Sequence, residues 1–155
     1  MPSDLRDEIR QGRPFRSRQE EAYLSLVRTA AVLTDAFDQM LKPYGISGTQ
    51  YNVLRILRGA GADGLCRNEV RDRLLTRMPD VTRLLDRMEE AGLVTRERSS
   101  EDRRMVTTRL TAEGQRLVDR LDDVVRQEHE RLLGHVDEPR LAALVETLAA
   151  IRTPH

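Results

Sequence analysis

The stretch TRMPDVTRLLDRMEEAGLVTRERSSEDRRMVTTRLTAEG, residues 76 to 114, changes its periodicity twice. In its first part, Val81, Leu84, Leu85 and Met88 recur at the three-and-four spacing of a helix. Asp80, Thr82, Arg83, Asp86 and Arg87 fall on the opposite face. Proline is tolerated in a first helical turn, so this helix is expected to begin around Pro79, and Gly92 supplies the stop. LVTRER and MVTTRL, rich in valine and threonine, then flank RSSEDR, which predicts a β-hairpin. Thr111 stands where it caps a further helix, with Glu113 in the first turn, matching the helix dipole.

Upstream, residues 1 to 17 are polar and broken by Pro2, Gly12 and Pro14, the pattern of an N-terminal arm. A long helix is expected from Gln19 to Lys42, halted by Pro43 and Gly45. Its apolar residues form two overlapping stripes, broader than one core requires, which suggests burial on two sides. Ser47 and Gln50 fit a capping box, with Ile46 and Tyr51 placed as a hydrophobic staple. That helix is expected to continue through Leu57 until GAGADG at 59 to 64, and a short one to follow near 66 to 75. Downstream, Val118, Leu121, Val125 and Leu132 recur at near-heptad spacing, and Asp137 with Pro139 opens a last helix bearing Leu141, Leu144, Leu148 and Ile151.

Helix, helix, helix, hairpin is the order of a winged helix-turn-helix, in which the last helix enters the major groove and the hairpin reaches sideways to the backbone or minor groove. The fold class is therefore mainly α with a small β-hairpin wing, flanked by long dimerisation helices. Three regions follow: an arm over 1–17, a helical dimerisation region over 18–45 and 111–155, and a DNA-binding domain over 46–110. A symmetric homodimer would set two recognition helices about 34 Å apart, facing a palindromic operator in double-stranded DNA.

Composition is compatible with this and decides little alone. Twenty-six basic residues balance twenty-six acidic ones in 155, so nucleic-acid contact must come from a local basic patch. Every basic residue except Lys42 is arginine; arginine suits guanine and phosphate, and a codon bias would give the same preference. No apolar run reaches about 20 residues, so no membrane span is expected. The polar N-terminus and single cysteine, Cys66, predict a cytoplasmic protein. Scattered histidines, one cysteine and no glycine-rich phosphate loop give no catalytic constellation, so no enzyme and no cofactor are expected.

The AGLVTR, DRR and LTAEG segments within 76–114 stand in the order and spacing of the MarR family of transcriptional regulators, which the chain resembles along nearly its whole length beyond the arm. That resemblance implies a repressor released by a small-molecule effector or an oxidant. It makes Arg104 the candidate for minor-groove insertion, with Arg103 on the adjacent backbone. Asp102 would hold the wing through Arg96 or Arg98. On the recognition helix, Arg77, Thr82 and Arg83 are expected near base edges and Arg87 nearer the phosphates. Asp80 could accept from a cytosine or simply stabilise the helix N-terminus. The other reading of the wing is a solvated tip whose charges pair with each other. The alternative for the chain is a winged-helix protein-interaction module without sequence-specific DNA binding.

Sensor chemistry is less legible. Cys66, beside Arg67 at a helix start, could be a reactive thiol or a small residue filling a cap position. His129 and His135 read as surface histidines, and no metal is expected. The resemblance implies a pocket for a phenolic or carboxylate effector, for which Tyr23, Tyr44, Tyr51 and Arg55 are candidates; Tyr51 is equally explained as a staple.

Overall fold

A computed structural model describes residues 4 to 154. The chain divides into two compact units, one ending at Gly45 and the other starting at Ile46.

In the first unit, the arm is not wholly irregular. Asp4 accepts a hydrogen bond from the Arg6 backbone N–H and caps a single turn, α1 (Leu5–Glu8). Ser17 caps the long helix α2 (Arg18–Leu41) by accepting from the Glu20 N–H. Pro43 tightens the chain into a 3-10 turn over Lys42–Tyr44, and Gly45 leaves it in the left-handed region at φ 75°. Tyr23, Val27 and Val32 on α2 are exposed.

The second unit begins with the expected capping box. Ser47 Oγ accepts from the Gln50 N–H at 3.2 Å, and Gln50 Oε1 accepts from the Ser47 N–H at 3.0 Å. The helix that follows, α3 (Gly48–Ala60), runs two residues into the glycine-rich segment before Gly61 ends it. Its residues Val53, Leu54 and Leu57 are almost fully buried, with Val118 and Leu121 of the later helix α6 (Ala112–Leu133). Arg58 ties the same two helices at their surface through Asp119, at 3.1 Å, and Asp122, at 2.8 Å.

Between them in sequence lies a smaller unit: β1 (Leu65–Cys66), α4 (Arg67–Arg73), α5 (Val81–Glu90), β2 (Val94–Arg98) and β3 (Val106–Leu110). The expected two-stranded hairpin is part of a three-stranded antiparallel sheet, in the order β1-β3-β2. Leu65 pairs with Thr108 and Cys66 with Thr107. Helix α5 starts at Val81 with Asp80 as its cap, so Pro79 lies outside the helix. The inner face is as expected: Val81, Leu84, Leu85 and Met88 are all buried.

Gly92 is the left-handed residue of a Schellman motif. At φ 77° its N–H donates to the Glu89 carbonyl, and the Leu93 N–H donates to that of Met88 at 3.0 Å. Met88 and Leu93 are both buried, as the hydrophobic partners of that motif should be. The chain thus leaves α5 straight into β2, and the β-hairpin is fixed to α5 from its first residue.

At the far end of the sheet, Thr111 accepts from the Gly114 N–H and starts α6. Its hydroxyl also donates to the Gly92 carbonyl at 2.6 Å, so one side chain joins the end of α5 to the start of α6. Asp137 caps α7 (Glu138–Arg152), on which Leu144, Val145 and Ile151 are exposed. Among the described residues no helix is long and apolar enough to cross a membrane.

Candidate nucleic-acid interface

Helix α5 presents two chemically distinct sides. Four apolar residues face the core, while Arg83 and Arg87 are exposed and Thr82 is half-buried. Asp80 accepts from the Arg83 N–H at 2.9 Å, so its carboxylate is engaged at the cap, where it suits the positive end of the helix. The turn leading into α5 is anchored by buried Asn52, whose Oδ1 accepts from the Leu75 N–H at 2.9 Å. Arg77 lies exposed in that turn.

The wing tip is built from backbone hydrogen bonds to acidic and hydroxyl side chains. Ser99 Oγ accepts from the amides of Glu101 and Asp102, and the Ser99 N–H donates to the Met105 carbonyl at 2.8 Å. Asp102 Oδ1 accepts from the Arg104 N–H at 3.0 Å, an Asx turn that reverses the chain. Arg98 Nη1 donates to the Arg103 carbonyl at 3.4 Å. Asp102 therefore pairs with neither Arg96 nor Arg98, contrary to expectation. Its short side chain is used within its own turn, and Arg96 is taken by carboxylates of α5. Arg103 and Arg104 are exposed, and no carboxylate of the described residues holds either guanidinium.

Arg96 is a different kind of arginine. Its Nη2 lies 2.5 Å from Asp86 Oδ1 and 3.0 Å from Glu89 Oε1, and its side chain is 21% exposed. The Arg96 hydrogen bond holds the Glu89 carboxyl below the usual carboxylate range, and Glu89 in turn raises the pKa of the guanidinium. A cleft of about 240 Å³ opens between the N-terminus of α4, helix α5 and the wing, with Arg67, Thr82, Arg96 and Arg104 among its lining residues. Arg67 Nη1 donates to Thr82 Oγ1 at 3.0 Å across it.

The MarR family model matches residues 44–105, which run from the end of the first unit to the wing tip. The chain is 30% identical over 116 residues to the HTH-type transcriptional regulator YwoH of Bacillus subtilis, covering 74% of this chain and 82% of that one. A MarR transcription factor from Planctomyces limnophilus is 39% identical, with a TM-score of 0.69, over 88% of this chain and 99% of its own. The chain belongs to the MarR family.

The transcriptional repressor CouR, known from Rhodococcus jostii RHA1, matches with a TM-score of 0.74 at 28% identity in its complex with a 23-mer DNA duplex, over 84% of this chain and 91% of that one. CouR has also been solved with p-coumaroyl-CoA. As a MarR protein the chain is a DNA-binding winged-helix transcriptional regulator.

The remaining candidates are distributed unevenly. Tyr23 and Tyr44 fall in the first unit, Tyr51 and Arg55 in the second. Tyr51 and Ile46 are both buried at the start of α3, as a staple requires, and burial raises the Tyr51 phenol pKa. Arg55 is exposed. Cys66 is half-buried at the α4 cap, and its N–H donates to Glu69 Oε2 at 2.8 Å. Arg67 turns toward Thr82, so the cation expected beside the thiol is engaged elsewhere. His129 and His135 are exposed, and no metal-binding cluster occurs among the described residues.

Sequence reading missed two arginines here. Arg67 was noted only as a neighbour of the thiol, although position N1 of the capped helix that precedes α5 brings it within reach of Thr82. Arg96 was assigned the wrong partner, although strand alternation puts it on the same face of β2 as buried Val94.

Proposed function

We propose that the chain acts as a homodimeric repressor of a palindromic operator. Helix α5 enters the major groove with Arg77, Thr82 and Arg83 near base edges and Arg87 near the phosphates. Arg104 enters the adjacent minor groove, and Arg103 rests on the flanking backbone. One observation carries this reading. The side chains of Arg77, Arg83, Arg87, Arg103 and Arg104 are all exposed, and among the described residues no carboxylate pairs with their guanidiniums, whereas the guanidiniums of arginines with structural tasks, such as Arg58 and Arg96, are each held by two. Free guanidiniums on one reading unit supply the local basic patch that a neutral chain needs for DNA.

Exposed apolar residues on α2 and on α7 support self-association through the terminal helices. That CouR has been solved with both DNA and p-coumaroyl-CoA supports release by a small effector, here a phenolic or carboxylate compound. Such a ligand would shift the population of dimers away from the arrangement that fits the operator.

Binding of the wild type and of Arg104→Ala to the DNA upstream of the chain's own reading frame, at several salt concentrations, tests the proposal. Tight binding that weakens steeply with salt, and that Arg104→Ala impairs, is the expected result. Equal affinity for operator-region and random DNA, together with an empty genome-wide pull-down, would replace it with the protein-interaction reading.

A further inference from the structure

Strand pairing sets Arg96 opposite Thr108, and both lie on the core-facing side of the sheet, in line with buried Val94. A guanidinium in that position needs counter-charges from whatever packs over it. Helix α5 supplies them from one face, because Asp86 and Glu89 are three residues apart. Three contacts result: the two ion pairs above and a hydrogen bond from the Arg96 backbone N–H to Glu89 Oε2 at 3.0 Å. Both Glu89 oxygens are thus committed to one residue of the wing, one to its side chain and one to its backbone.

We propose that Arg96 is a positioning residue for DNA binding. With Asp86 and Glu89 it fixes the angle between α5 and the wing, so that a helix in the major groove and Arg104 in the minor groove meet the same duplex at once. The inference rests on the DNA-binding reading above and assigns Arg96 no contact with DNA. Its charge is already met by two carboxylates, and its side chain is mostly covered. The ladder from Val94–Leu110 to Arg98–Val106 and the Schellman turn hold the wing together without it. What the clamp adds is direction: the wing tip lies beyond Arg98, several residues from the point where the strand leaves α5, and a small change of angle there moves Arg104 far from a groove. Orientation of this kind matters because rigid presentation removes a cost otherwise met on binding.

The test uses the full chain as wild type, Arg96→Met, Arg96→Lys and Glu89→Gln. Affinity for the upstream fragment is measured at several salt concentrations, and hydrogen exchange of the DNA-free proteins is followed by peptide. Arg96→Met should lose about ten-fold or more in affinity with no change in the slope of log affinity against log salt. Arg96→Lys should recover part of the loss, and Glu89→Gln should lose affinity although it removes a negative charge from the DNA-facing unit. Exchange over 96–106 should quicken in Arg96→Met while the buried part of α6, 118–125, stays as in the wild type.

A slope shallower by about one would mean that Arg96 itself meets a phosphate, and would overturn the proposal. So would unchanged affinity, affinity lost without any change in wing exchange, or faster exchange in α6 as well, the mark of general destabilisation. Absence of specific binding by the wild type would remove the DNA reading and the positioning role together. The exchange measurement separates that outcome, because it reads the clamp without DNA.

Discussion

Arg83 and Arg87 stand one helical turn apart on the exposed side of α5, yet they are assigned different tasks, and their variants should behave differently. Replacing Arg83 near the base edges by alanine should cost about 1–3 kcal/mol at the preferred sequence and relax the preference at one base pair. Replacing Arg87 near the phosphates should weaken binding to all sequences alike and reduce the salt slope by about one. Competition titrations on single-base variants of the bound fragment distinguish the two. Glu89 carries a further prediction. Its carboxyl pKa is lowered by Arg96, so its contribution is fully present above its unfolded value, about 4.3, and is lost as pH falls through the lowered folded value. Urea unfolding of the wild type and Glu89→Gln should therefore differ at pH 7 and converge as pH falls through the lowered folded value. Exposure and salt screening keep the difference at pH 7 below about 1 kcal/mol.

At the scale of elements, the junction between wing and α6 is the least tolerant point. A Cβ at Gly114 would collide with the Leu93 carbonyl oxygen and lie 3.1 Å from its carbon, where the start of α6 crosses the start of β2. Gly114→Ala should destabilise by about 1–3 kcal/mol, since backbone, not a movable side chain, blocks the space. Gly59→Ala is the control. It lies inside α3 with nothing within 4 Å of the added atom, and it should stabilise by about 0.5–1 kcal/mol. Urea midpoints of both variants read the contrast directly.

These junctions also mark where sequence reading reached its limit. Caps were legible because their signals are local: Ser47 with Gln50, Thr111 and Asp137 all do what their spacing implies. Strand β1 was not, because two residues carry no periodicity and their pairing with Thr107 and Thr108 is set by distant chain. Its enabling feature, Gly64 at φ 68° with the Thr108 carbonyl 2.5 Å from where a Cβ would stand, looks in sequence like one more loop glycine. The start of α5 was misplaced because Pro79 and Asp80 are both start signals, and the carboxylate that bonds the Arg83 N–H wins. The Arg96 pairing failed for a similar reason: Asp86, Glu89 and Asp102 were all near in sequence, and only the face of the strand decides among them.

At the scale of the whole molecule, the exposed apolar residues of α2 and α7 and the free arginines around α5 and the wing support one proposed scheme, a dimer that would offer two α5 helices to one duplex. Replacing Val145, which is 64% exposed on α7, by glutamate should shift the chain from dimer toward monomer in sedimentation, with a large loss of operator affinity and little loss of helix content. The central claim is more exposed to a hydroxyl-radical footprint of the wild type and Arg104→Ala on the bound fragment. Two half-sites with centres about one DNA turn apart should be protected, each flanked by a minor-groove protection that Arg104→Ala loses while the central protections remain. A single unpaired half-site, or a footprint that Arg104→Ala leaves unchanged, would contradict a dimer that reads DNA through α5 and the wing together.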